Sequence, residues 1–121
     1  MKLITAEQVR NAISQGEFGA GITHAADRVA VILTQGWCPQ WHAMKRFVAD
    51  FSGAQVFYLE YDGTDYFEEF KTFKEQVLGN DQIPYLRYYC RGALVAQSNA
   101  MPESTFRAHL EQHCQPATLE P

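Results

Sequence analysis

The chain has 121 residues, of which 46% are apolar, 20% charged and 13% aromatic, the size and composition of one globular domain spanning residues 1–121. Ten basic against fourteen acidic residues give a formal charge of −4 with no clustered cations, which excludes the electrostatic footprint of a nucleic-acid binder. The longest apolar run, Val29 to Leu33, is too short to span a bilayer, and Met1-Lys2-Leu3-Ile4 leads into polar sequence, so a cytoplasmic protein without a membrane partner is expected.

A first helix is predicted from Thr5, where Thr5 and Gln8 have capping-box spacing and Ile4 and Val9 suit a hydrophobic staple. Ala6, Val9, Ala12 and Ile13 continue it at helical spacing, and Gly16 supplies the stop. Residues 16–28 show little periodicity and read as an irregular connection. Val29-Ala-Val-Ile-Leu-Thr34 is a strand buried on both faces, as in the centre of a parallel sheet. It ends at Gly36-Trp37-Cys38-Pro39, where proline suits the first position of a helix running to about Phe51.

A second strand is predicted over Gln55 to Tyr61, followed by an Asp62-Gly63-Thr64 turn. The next helix has Tyr66, Phe70, Phe73 and Val77 on one stripe and Gly79 at its end. Glu68, Glu69, Lys71 and Lys74 form its solvated face. After Ile83-Pro84, Tyr85 to Cys90 and Ala93 to Ser98 read as a hairpin turning at Arg91-Gly92, and Pro102 opens a last helix carrying Phe106 and Leu110. Strands separated by helices, then a closing hairpin and a helix, give an α/β sandwich on a mixed sheet.

This order, with Trp37-Cys38-Pro39-Gln40-Trp41 after the central strand and Ile83-Pro84 before the hairpin, resembles the thioredoxin-like superfamily over nearly the whole chain. The resemblance implies a mixed β-sheet flanked by helices, a nucleophilic cysteine at Cys38 and a cis-proline at Pro84. It also implies that the backbone of Ile83 pairs with an extended peptide or thiol ligand, and that Trp37, Trp41 and Tyr85 form an apolar rim. The chain departs from that pattern at several places. Trp41 stands where the second cysteine of the Cys-x-x-Cys motif belongs, Ile32 where thioredoxin carries a buried carboxylate, and Arg46 where its helix has a kinking proline. The glutathione signature of glutaredoxins is replaced by Gln82-Ile83 and Ser98-Asn99-Ala100.

Three cysteines of irregular spacing do not suit a disulfide framework and leave at least one thiol free. A helix amino terminus stabilises a thiolate, the nucleophile of thiol–disulfide exchange, and Cys38 has that setting by sequence. The reactive reading of Cys38 stands beside an inert one, in which Trp37 and Trp41 shield the thiol. At ~3.3 Å per residue Cys90 lies about 20 Å from Pro84, and Cys114 closes the last helix, so neither resolves a bond made by Cys38. Cys90 reads as a small strand residue and Cys114 as a peripheral thiol. His42 reads as a surface residue, and His109 and His113 as a polar helix end without a third metal ligand.

Thiol–disulfide chemistry through Cys38 alone is therefore the first expectation, as a monothiol disulfide oxidoreductase forming mixed disulfides with protein or small-molecule partners. No resident cofactor is expected, with glutathione a candidate external thiol. A redox-inert module binding a peptide or protein beside Pro84 is the alternative. An iron–sulfur carrier using Cys38 and an external thiol is a third reading without an evident second ligand.

Overall fold

A computed structural model describes residues 1–116. Five strands form one mixed sheet in the order β1-β3-β2-β4-β5, with β1 at Lys2–Leu3, β2 at Arg28–Thr34, β3 at Gln55–Glu60, β4 at Tyr85–Cys90 and β5 at Ala93–Ser98. β2 runs parallel to β3 and antiparallel to β4, so the central strand joins a parallel half to a hairpin half. β1 was not evident in the sequence because its two residues are exposed and carry no pattern.

The first helix, α1 (Ala6–Gln15), has the predicted capping box: Gln8 N–H donates to Thr5 Oγ1, and Thr5 N–H to Gln8 Oε1. Gly16 ends it with φ +82°, a conformation in which its N–H donates to the Ala12 carbonyl without a Cβ penalty. The connection expected to be irregular contains a short helix, α2 (Ala20–Thr23), which buries Ile22. One turn is too short for its period to show in the sequence.

The long helices α3 (Pro39–Ala49) and α5 (Glu103–His113) flank one face of the sheet, while α1, α2 and α4 (Phe67–Thr72) flank the other. Side chains on β2 alternate accordingly. Val29, Val31 and Leu33 join the α1/α4 core, and Ala30 and Ile32 join the α3/α5 core.

After Thr72 the chain does not continue as a regular α-helix. Residues Phe73–Val77 form a π-helical turn in which Leu78 N–H donates to the Phe73 carbonyl. The wider turn rotates Val77 off its expected stripe, leaving it 59% exposed, while Lys74, four residues after the buried Phe70, lies on the inward side with 0% exposure. Both expectations are thereby corrected: Val77 is a surface residue, and Lys74 does not belong to the solvated face that Glu68, Glu69 and Lys71 do occupy.

Two buried polar arrangements hold the fold. The Lys74 ammonium donates to the carbonyls of Asn80 and Gln82 at 2.8 and 2.7 Å, fastening the segment that leads into β4. Arg87 on β4 donates to Tyr85, Tyr89 and the Glu17 carboxylate, and Glu17 also accepts from Tyr89 Oη and Phe18 N–H. That network ties the α1–α2 connection to the sheet.

Candidate functional site

Because β2 and β3 are parallel and β4 begins opposite Leu33, one end of the sheet gathers three segments: the loop after β2, the end of β3 and Ile83–Pro84. The loop after β2 is tied down at each residue. Gln35 Nε2 donates to Tyr61 Oη, Trp37 Nε1 donates to Gln35 Oε1, and Gly36 N–H donates to Asp62 Oδ1 at 2.7 Å. His42 Nε2 lies 2.6 Å from the Gly36 carbonyl, so this exposed histidine braces the loop.

Cys38 is the N-cap of α3, and Pro39 supplies the first helical residue without an N–H that would need a partner. The Ile83–Pro84 peptide is cis. Cys38 Sγ lies 3.9 Å from the carbonyl oxygen of Ile83, so the thiol and the backbone beside Pro84 meet as a pair. Cys38 is 3% exposed and sits in the α3/α5 core with Trp41 and Leu86. Cys38 carries no disulfide.

The expected aromatic rim is corrected in two of its three members. Trp37 is 64% exposed and stands beside the thiol. Trp41, three residues after Cys38 in α3, points inward with 0% exposure. Its Nε1–H donates to Glu60 Oε2 at 2.6 Å, Lys45 pairs with the same oxygen at 3.5 Å, and Tyr58 stacks on the indole. Tyr85 is buried on the opposite face of the sheet from Cys38, because alternate residues of β4 point to opposite sides. Glu60 and Asp62 escaped the sequence analysis; the signal for Glu60 was an acidic residue inside the apolar run of β3.

The remaining cysteines are not free. Cys90 and Cys114 form a disulfide with Cα atoms 5.2 Å apart, which corrects their reading as an isolated strand residue and a peripheral thiol. Cys90 pairs in register with Arg28, at the end of β2 opposite Cys38, so the expectation that neither thiol reaches Cys38 agrees with the register.

Comparison with solved structures decides the fold. Chlamydomonas reinhardtii thioredoxin f2 superposes with a TM-score of 0.68 at 15% identity, covering 97% of this chain and 99% of that one. This chain has a thioredoxin-like fold. Plasmodium falciparum thioredoxin is similar at TM-score 0.61 and 18% identity, over 94% of this chain and 100% of its own. A mutated buckwheat glutaredoxin matches at TM-score 0.53 and 15% identity, over 88% and 90% of the two chains. No family model and no curated protein sequence matches the chain. Within the thioredoxin-like frame, Cys38 occupies the start of the helix after the central strand. Among the described residues no three His, Cys, Asp or Glu side chains converge on a metal-sized site, and no helix is long and apolar enough to cross a membrane.

Proposed function

We propose that this chain is a single thioredoxin-like domain that exchanges thiols and disulfides through Cys38 alone. The observation that carries the reading is the pairing of a free thiol at the start of α3 with the Ile83 carbonyl beside the cis-proline, in a loop braced by four hydrogen bonds. Cys38 as thiolate attacks one sulfur of a partner disulfide, forms a mixed disulfide and releases the partner's other sulfur as a thiolate. The fully buried Trp41 fills the place of a resolving cysteine, so a second, external thiol attacks the mixed disulfide and returns Cys38 to its reduced form. Trp37, exposed beside the thiol, and the Ile83 backbone provide the contact surface for the partner chain, while Trp41 supports them from below. We place the activity in the cytoplasm, where glutathione supplies the external thiol.

The burial of Cys38 favours one second reading, a redox-inert module that holds a peptide against Trp37 and Ile83. Native alkylation separates the two. The redox reading requires that iodoacetamide label Cys38 in the folded protein and that oxidised glutathione leave a mass-spectrometric adduct on it. A folded protein whose Cys38 gives no adduct and labels only in denaturant leaves the binding module.

A further inference from the structure

We propose that Cys90–Cys114 is a second thiol–disulfide site, opened by a small anionic thiol that docks between Arg28 and Arg91 at the end of the sheet opposite Cys38. The bond joins the last residue of β4 to the C-cap of α5. Its two sulfurs are unequal: Cys114 is buried, whereas Cys90 is only partly so. An attacking thiolate therefore reaches Cys90. The Arg91 guanidinium stands there already, with Nη1 at 3.2 Å from Cys90 Sγ, where it stabilises the negative charge that spreads over three sulfurs during exchange.

Once protonated, the released Cys114 thiol has a partner as well. Cys114 Sγ lies 3.4 Å from the carbonyl oxygen of Asp27, an acceptor for the S–H that reduction creates. The backbone around the bond stays anchored when it opens, because Arg28 Nε donates to the Cys114 carbonyl at 2.8 Å and Arg91 Nη2 to the Gln115 carbonyl at 2.7 Å. A cavity of about 470 Å³ adjoins the disulfide on its Cys114 side, lined by Cys114, Arg28, Arg91, Asp27, Ser52 and Gln55 among others, and Arg91 bridges from it to Cys90 Sγ. Among the described lining residues two cations stand against one carboxylate, Asp27, which pairs with Arg91 at 3.7 Å and leaves a net positive charge for an anionic ligand, and Ser52 and Gln55 add hydrogen-bonding groups.

The reaction balances with two equivalents of thiol. A thiol ionises, its thiolate bonds to Cys90 Sγ, the Cys90–Cys114 bond breaks, and the Cys114 thiolate takes up the released proton. A second thiolate attacks the external sulfur of the mixed disulfide. It leaves as a small-molecule disulfide and frees Cys90 as a thiolate beside Arg91. Two thiols are oxidised and one protein disulfide is reduced.

The test uses the full chain with Cys38→Ser, so the outcome does not depend on Cys38. The oxidised protein is incubated under native conditions with glutathione or with cationic cysteamine at equal thiolate concentration, then acid-quenched, alkylated and weighed. Glutathione is expected to open the bond without loss of far-UV circular dichroism, about tenfold faster than cysteamine. Arg91→Gln should abolish that preference and Arg91→Lys should retain it. In a Cys38→Ser, Cys114→Ala chain, oxidised glutathione should label Cys90. A bond that opens only in denaturant overturns the proposal. So do rates equal for the two thiols and insensitive to Arg91→Gln, or adducts confined to Cys114.

Discussion

Lys74 makes the stability of this protein rise with pH between about 7 and 9. The ammonium is fully buried by the π-helical turn, and burial pulls its pKa from 10.5 down to about 8, a shift that Glu75 and Asp81 oppose only in part. Between those values the unfolded chain holds a proton that the folded chain has lost, so unfolding becomes more costly as pH increases. A lowering of that size corresponds to about 1.3 kcal/mol of stability gained from pH 7 to 9. The clamp itself survives deprotonation, because a neutral amine keeps two N–H donors for the carbonyls of Asn80 and Gln82. Above about pH 9 the sign reverses: burial raises the pKa of Tyr61, Tyr66, Tyr85, Tyr88 and Tyr89 from 10.0, so the unfolded tyrosines ionise first and together outweigh Lys74. The assay is urea unfolding at pH 7, 8, 9 and 10 in a Cys38→Ser background, where no Cys38 thiolate can scramble the Cys90–Cys114 bond. With ordinary urea sensitivity the midpoint should climb by roughly 0.5–1 M from pH 7 to 9 and fall back by pH 10. In Lys74→Met the climb should vanish, and the chain should lose stability at pH 10 because two carbonyls lose their donor. A flat or falling midpoint from pH 7 to 9 in the parent, or the same rise in Lys74→Met, refutes the reasoning.

Glu17→Gln should cost about 2 kcal/mol in urea unfolding, since the buried Arg87 guanidinium loses its counter-charge but keeps two tyrosine partners. Trp41→Cys should lower stability by about 3–5 kcal/mol through the cavity it opens, yet form a disulfide with Cys38 and raise insulin reduction above the level of Trp41→Ser. Equal insulin reduction by the two variants, with no new disulfide by mass spectrometry, would argue against the placement of Trp41 at the position of a resolving thiol. The Cys90→Ala, Cys114→Ala pair should unfold about 3.5 kcal/mol more easily than the oxidised chain, because the bond closes a loop of 24 residues' separation. Calorimetry of the two oxidation states of the parent should show the same difference.

The features legible in the sequence are those written within a few neighbouring residues. The capping box of Thr5 and Gln8, the stop at Gly16 and the turn at Arg91-Gly92, where both residues have positive φ, each rest on local backbone chemistry. The buried strand at Val29 to Thr34 shows in its composition, and the start of α3 in Cys38-Pro39. The likeness to the thioredoxin-like pattern, and not these local features, implied that the thiol and the Ile83–Pro84 segment meet. The inward turn of Trp41 was also open to reading, because Trp41, Met44 and Val48 share one helical stripe and all three are buried. The likeness to a two-cysteine motif instead set Trp41 at the site's surface.

Lys74 and the Cys90–Cys114 bond were hidden for different reasons. A single i→i+5 turn adds about one residue to the repeat, so a stripe counted at 3.6 residues assigns Val77 to the core; Lys74 lies four residues after the buried Phe70, on the inward side, and its charge is what made it read as solvated. The disulfide depends on where α5 ends relative to β4, 24 residues earlier, a distance set by the packing of Phe106 and Leu110 on the sheet. Arg28 bridges the two reasons. It opens β2 opposite Cys90 and donates to the carbonyl of Cys114, so the register that carries Cys38 to one end of the sheet brings the other two cysteines together at the far end. Loss of the Arg28 side chain should therefore loosen the Cys114 end of the bond while leaving the loop around Cys38 intact. In Arg28→Ala, the neutral thiol 2-mercaptoethanol, which does not depend on the lost cation for docking, should reduce Cys90–Cys114 faster, and iodoacetamide labelling of Cys38 should be unchanged. Equal acceleration at both sites would mean that Arg28 supports the sheet as a whole instead of the α5 terminus.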